Sequence, residues 1–333
     1  MKYSETRIYK LAKESRRLAQ KVVPAYSSKF SKKTYTQDQH VAVLCIKTKA
    51  TKKFYETEEA LINMPMVCEA LGLKQVPDYT TMCKALKRLR SKVLIVLLYL
   101  TACLLPQSGN TSTDSTGLDR RHSSRHYIKR CKIRIRSMKV TFLIDTKELT
   151  ILAVHITATR KHDTQIIMPL VNKAAERFLI KVLAGDKGYD AKSIRDELRR
   201  MGIRPLIKHR EFKPIDKAHN ARIKKKDYNR RTMNETVNSM IKRKYSDMLY
   251  TKSFWNQVKE VLLMAVVHNI ERKISKISVI YWRISTEVSM YNTNGPASYN
   301  QFIKRFIDLF QRPCACPVFI KPFLDLFFLP SGV

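Results

Sequence analysis

The sequence predicts an α/β layered domain preceded by a helical N-terminal region. Three observations carry this: helical periodicity from Gln37 to Leu105, a Ser/Thr/Gly-rich break near residue 108, and alternating or continuous apolar runs beyond it that give way to helices. Residues 1–35 are basic and polar and read as a helix followed by a linker around VVPAYSSKFSKK. The stretch YETEEALINMPMVCEALGL reads as a helix ending at Gly72, and VPDYTTMCKALKRLRSKVLIVLLYL as a single helix with Asp78 as its N-cap. In the latter, Met82, Leu86, Leu89, Val93 and Val96 form one apolar stripe, while Lys84, Lys87, Arg88 and Arg90 lie elsewhere. A helix, a tight turn and a basic helix make a helix-turn-helix-like arrangement; a bundle with a solvated basic face is the competing reading. The domain boundary is placed in PQSGNTSTDSTG, giving a helical region over 1–108.

Beyond the break, MKVTFLIDTKELTILAVHITAT reads as two strands joined by a turn at Asp145 to Glu148, and FLIKVLAGDKGYD as an apolar strand ending in Gly-Asp. AKSIRDELRRMG is a helix with Gly202 after it, IRPLIK a short strand, and a long helix begins near Tyr228. The second domain is set at 109–274, and 275–333 is left as an unassigned C-terminal extension.

Lys plus Arg number 64 against 28 Asp plus Glu, a formal charge of +36 spread through the chain. Such an excess repels itself in the compact state unless a polyanion offsets it, which makes nucleic acid the leading partner. The longest apolar run, Val93 to Leu105, is too short to span a bilayer and reads as a buried helix. With no apolar core in residues 1–30 to serve as a secretory signal, the expected location is the cytoplasm, at the nucleoid, with no membrane partner. The seven cysteines, Cys45, Cys68, Cys83, Cys103, Cys131, Cys314 and Cys316, show neither a disulfide framework nor a Cys-x-x-Cys knuckle. His122 and His126 could share a helix face, but their Arg and Lys neighbours would repel a cation, so phosphate contact or plain solvation is the reading.

The stretch DYNRRTMNETVNSMIKRKY places one carboxylate, Glu235, inside a basic run. On a helix advancing about 100° per residue, Tyr228, Arg231, Glu235 and Lys242 fall within an arc of roughly 60°. Met233, Val237, Met240 and Ile241 gather on the opposite side. Tyr228 and Lys242 would then be roughly 21 Å apart, a span suited to a strand of phosphates. A solvated helix face with an incidental ion pair is the plainer alternative.

Two further acids stand on separate elements. Asp186 follows an apolar strand, where α/β sheets place ligands, and is flanked by Gly185 and Gly188; a turn former or helix cap is the other use of such a residue. Asp114, in TSTDSTGLD, has the same ambiguity and a more polar strand before it. Three carboxylates that converge can hold two Mg²⁺ ions for phosphodiester chemistry, while the surrounding Lys and Arg neutralise the nucleic-acid backbone.

Asp114, Asp186 and Glu235 resemble the acidic triad of DDE transposases of bacterial and archaeal insertion sequences. Tyr228, Arg231, Glu235 and Lys242 fit the Tyr-x2-Arg-x3-Glu-x6-Lys signature of one group of them. AGDKGYDA is similar to the segment around their second Asp, and QDQHVAVLCIKTKATKKFYETEEAL with VPDYTTMCKALKRL to their N-terminal region, so the similarity covers roughly 37–275. The resemblance implies a ribonuclease-H-like core with a mixed sheet flanked by helices, and Asp114, Asp186 and Glu235 as catalytic metal ligands, with Asp119 and Asp145 as alternatives for the first. It further implies two Mg²⁺ ions, replaceable by Mn²⁺, and double-stranded DNA as partner, both as terminal inverted repeats and as target. The expected reaction is metal-dependent strand cleavage and strand transfer. Tyr228, Arg231 and Lys242 are the expected DNA contacts beside the carboxylates, and Lys84, Lys87 and Arg88 those of the helical region. Joining two element ends makes a homodimer on DNA the economical assembly. Only 48 residues separate Asp186 from Glu235, too few for the large β-rich insertion domain of some relatives. The alternatives are a DNA-binding protein without catalysis, either a decayed copy or a repressor of transposition, and a structure-specific nuclease or resolvase.

Overall fold

The computed structural model describes residues 6–120, 137–159 and 161–291, with side chains described as far as 277. His122, His126, Cys131, Cys314, Cys316 and most of the 275–333 extension lie outside the described residues. Met1–Ile280 make one compact unit and Tyr281–Val333 a second.

Helix α1 (Arg7–Ala19) starts at Thr6, whose hydroxyl accepts the Tyr9 N–H, and buries Leu11, Ala12, Ser15, Leu18 and Ala19 at helical spacing. It packs on α2 (Gln37–Ala50), which is buried from Val41 to Lys47. The expected helix ending at Gly72 is two helices, α3 (Phe54–Ile62) and α4 (Pro65–Ala70). Pro65 has no N–H to continue the helical ladder and opens α4 as its first residue. Gly72 does close the stretch, at φ +61°.

The single helix expected from Asp78 is also two, α5 (Tyr79–Arg88) and α6 (Ser91–Ala102). Asp78 caps the first as expected, its carboxylate accepting the Thr80 N–H at 2.7 Å. The break has an identifiable cause. The buried Lys259 ammonium donates to the carbonyls of Leu86 and Lys87, each at 2.9 Å. In an unbroken helix those carbonyls would accept from residues 90 and 91. The chain instead turns at Leu89 (ψ 125°), and burial moves from Met82 and Leu86 to Leu94, Leu97 and Leu98, leaving Leu89, Val93 and Val96 only partly covered.

The sheet runs β3-β2-β1-β4-β5, with β1 (Asn110–Arg120), β2 (Ser137–Asp145) and β3 (Thr150–Thr157) antiparallel. Strands β4 (Val182–Gly185) and β5 (Arg204–Ile207) are parallel to β1, and a short β6 (Met248–Leu249) pairs with its far end. This is the mixed, helix-flanked sheet of a ribonuclease-H-like core, following a helical N-terminal region. One correction is large: the polar stretch taken as a boundary is β1, the central strand. Some of its polar groups are satisfied inside, as when the Thr111 hydroxyl donates to the Val182 carbonyl at 2.8 Å. Flanking strands, not its own hydrophobicity, make it a strand.

Side chains alternate along the strands. Leu118, Met138, Val140, Phe142 and Ile144 meet the N-terminal helices, α11 (Thr232–Lys244) and α12 (Phe254–Tyr291) on one face. On the other, Leu143, Leu183 and Ile207 meet α7 (Asp163–Ala175) and α8 (Lys192–Arg200). Two short helices, α9 (Pro214–Arg222) and α10 (Lys225–Tyr228), lie between β5 and α11.

The β2–β3 turn is fixed by side chains. Asp145 is fully buried and accepts from the N–H groups of Ser108, Lys147 and Glu148. Leu149 takes φ 56°, and the buried His268 donates from Nε2 to its carbonyl at 2.8 Å. Burial lowers His268 from 6.5 to about 4, so it folds as neutral imidazole. Its folded pKa is depressed, so the stability it contributes is present above pH 6.5 and lost as pH falls towards 4. That loss should reach roughly 3 kcal/mol. Urea melts across this range check the slope, which should flatten in His268→Gln.

Candidate active site

The β1–β4 register leads two carboxylates to the same end of the sheet. The last paired residues are Ser112 and Ala184. Two residues further along each chain segment stand Asp114, still within β1, and Asp186, just past the end of β4, near enough for the charge of one to register at the other. Asp186 lies just past β4, where its carboxylate accepts the Lys187 N–H at 2.8 Å and starts a 3₁₀ turn, Lys187–Tyr189. Asp114 is partly buried, and its Oδ2 accepts from the Asn238 amide at 3.1 Å.

Helix α11 brings the third acid. It is anchored by Val237 and Ile241, both fully buried, and by Asn234, whose amide donates to the carbonyls of Ser112 (2.9 Å) and Phe142 (3.1 Å). These anchors lay α11 across β1 and β2 and hold Glu235 at the carboxylate end of the sheet. The proximity registers in Asp114, whose carboxyl is raised above its ordinary range, first by burial and then by the negative charges of Glu235 and Asp186, against a lowering by Arg231.

Glu235 is half exposed and paired with Arg231 at 2.9 Å. Among the described residues no three His, Cys, Asp or Glu side chains stand close enough together to hold a metal ion. The donor set is nevertheless all carboxylate oxygen, the chemistry a hard divalent cation requires, and the mutual repulsion felt at Asp114 is the charge such a cation offsets.

The long helix expected from Tyr228 is interrupted. Tyr228 ends α10, a 3₁₀ turn covers Asn229–Arg231, and α11 begins at Thr232. The 100° phase therefore does not carry Tyr228 into one stripe with Glu235. Tyr228 still reaches the same place: its phenol is raised by burial, lowered by Arg231 and raised by Asp186, and the Lys208 ammonium lies 4.5 Å from its ring centroid. Lys242 is partly buried two turns beyond Glu235. Lys84, Lys87 and Arg88 are exposed on α5.

Of the alternatives for the first acid, Asp145 is consumed by its turn, and Asp119 lies an odd number of residues from Asp114, on the opposite face beside β6. Sequence reading missed Asn234 and Asn238. Their signal was present: an Asn pair at i,i+4 straddling Glu235 on the side of Val237 and Ile241. It also missed Lys187, whose ammonium pairs with Glu211 at 2.9 Å beside Asp186.

Among the described residues no helix is long and apolar enough to cross a membrane. Among curated proteins no sequence matches this chain. Of solved structures, the piggyBac transposase synaptic complex with hairpin DNA, determined by cryo-EM, is similar at 10% identity and a TM-score of 0.46, over 81% of this chain and 74% of that one. The model of the family described as the transposase DDE domain matches residues 109–270, the segment that holds the sheet, Asp114, Asp186 and Glu235. Over that segment the chain is similar to the transposase DDE domain family, a match that supports a DDE transposase.

Proposed function

We propose that the chain is an insertion-sequence transposase that binds terminal inverted repeats, cleaves a strand at each element end and transfers the freed 3′-hydroxyl to target DNA. Asp114, Asp186 and Glu235 are its metal ligands. The single observation supporting this reading is the β1–β4 register, in which β1 carries Asp114 beside the end of β4 that leads into Asp186, under a helix bearing Glu235. Two divalent cations, Mg²⁺ or Mn²⁺, supply Lewis-acid chemistry to the attacking and leaving oxygens when bound. The chain's own part is positioning. Asn234 and Asn238 hold α11 and Asp114, and releasing Glu235 from Arg231 frees both its carboxylate and a guanidinium for DNA phosphate. Tyr228 and Lys242 extend the contact with the backbone.

The helical region, residues 1–108, takes the recognition role, with Lys84, Lys87 and Arg88 on the exposed face of α5. The catalytic domain runs to 274, and two copies act together on DNA, in the cytoplasm at the nucleoid. Arg231→Ala and Lys242→Ala should each slow strand processing. Each should also lessen the slope of log affinity against log salt by roughly 0.9 on duplex DNA, measured by filter binding from low to moderate salt. Unchanged cleavage and slope in both would leave the helix with a structural role and favour a DNA-binding protein without catalysis.

A further inference from the structure

The β1–β4 ladder ends at Ser112 and Ala184, two residues short of the carboxylates, so backbone hydrogen bonds do not fix the spacing of Asp114 and Asp186. Side chains behind the sheet connect the two elements instead. Tyr189 closes the 3₁₀ turn after Asp186; its N–H donates to the Asp186 carbonyl at 3.0 Å. Its ring lies under Gly185, where a Cβ would stand 3.4 Å from ring Cδ2. Its hydroxyl reaches Ser115 Oγ at 3.2 Å. Ser115 is the residue after Asp114 and points to the opposite face of β1.

Counting protons gives this contact a direction. Ser115 Oγ lies 2.8 Å from Asp163 Oδ1 and 2.8 Å from Thr141 Oγ1 as well. A hydroxyl has one proton to give and two lone pairs to fill. The Asp163 carboxylate, paired with Lys139 Nζ at 2.8 Å, only accepts, so it takes the Ser115 proton. Tyr189 and Thr141 then both donate to Ser115. Burial pushes the Tyr189 phenol well up, which keeps it a donor at neutral pH. Every hydrogen-bonding capacity of Ser115 is used, and the chain runs from Tyr189 through Ser115 to Asp163 and Lys139.

We propose that Tyr189 and Ser115 are positioning residues that set the separation of Asp114 and Asp186, and through it the divalent-cation affinity of the site, without touching metal or DNA. The proposal rests on the reading of those carboxylates as metal ligands. Groups that orient ligands from behind typically change metal affinity or activity 10–100-fold when removed.

The test is Mn²⁺ binding to the full chain, read from the electron paramagnetic resonance signal of free Mn²⁺. Tyr189→Phe keeps the ring and removes only the hydroxyl; it should weaken Mn²⁺ binding about 10-fold. Ser115→Ala should do the same, the double variant should be no worse than either, and Ser115→Thr, which keeps the hydroxyl, should restore binding. A Tyr189→Phe chain that melts at lower temperature yet binds Mn²⁺ with wild-type affinity has lost a structural contact only and overturns the proposal. Wild-type protein that binds no Mn²⁺, or Asp186→Asn protein that binds it as tightly as wild type, overturns the metal-ligand reading itself and the proposal with it.

Discussion

Asp186→Asn should reduce Mg²⁺-dependent strand cleavage by about 10³-fold while DNA affinity stays within about twofold. The amide keeps the shape of the carboxylate and removes a metal ligand and one negative charge. Asp114→Asn should lose cleavage to the same degree, with a second signature. Its carboxyl is raised in the folded protein, by burial first and then by Glu235 and Asp186, so folding favours the protonated acid. That contribution is present below the unfolded value of 3.8 and is lost as pH rises through the raised folded value. At neutral pH the ionised acid therefore opposes folding, and Asp114→Asn should melt above wild type in EDTA. The gap should close as pH falls towards 4. Gel assays of nicking and calorimetry at several pH values give both readouts. A variant that cuts at the wild-type rate, or an Asp114→Asn protein less stable than wild type at neutral pH, would contradict the assignment.

The second large effect lies in Asn234, which reacts with nothing. Its buried amide joins α11 to the carbonyls of Ser112 and Phe142 on two neighbouring strands. Asn234→Ala leaves both carbonyls short of a donor and opens a void, at a cost of about 3 kcal/mol in urea unfolding. Glu235→Gln, on the exposed side of the same helix, should leave the midpoint unchanged within about 0.5 kcal/mol while abolishing cleavage. Equal stability in the two variants would mean that α11 is held by apolar packing alone.

What could be read in the sequence followed from local signals. The strand ending in Gly-Asp, the glycines after helices at Gly72 and Gly202, and the hairpin at Asp145 each announce themselves in a few residues, and each stands where expected. The illegible parts are those decided at a distance. Nothing in TSTDSTG says that two strands flank it, so β1 read as a domain boundary with only a weak, polar strand before Asp114. Nothing near Arg88 says that Lys259 will take the carbonyls that would have continued the helix. The Tyr228 phase failed because a 3₁₀ turn changes the angular advance per residue, a change invisible to any fixed period. The three acids read only as isolated residues on separate elements; that β1 and β4 lead to Asp114 and Asp186 at one end of the sheet depends on a register that only the paired strands define.

Asp114, Asp186 and Glu235 are proposed to run divalent-metal phosphoryl transfer on DNA. The most direct test is nicking by the full chain of a supercoiled plasmid carrying its gene with the flanking DNA, in EDTA and then with Mg²⁺ or Mn²⁺ added. No nicking is expected in EDTA, nicking at defined positions with either metal, and none from Asp186→Asn in any condition. Cleavage that persists in EDTA, or binding of the same plasmid without nicking in either metal, would contradict it.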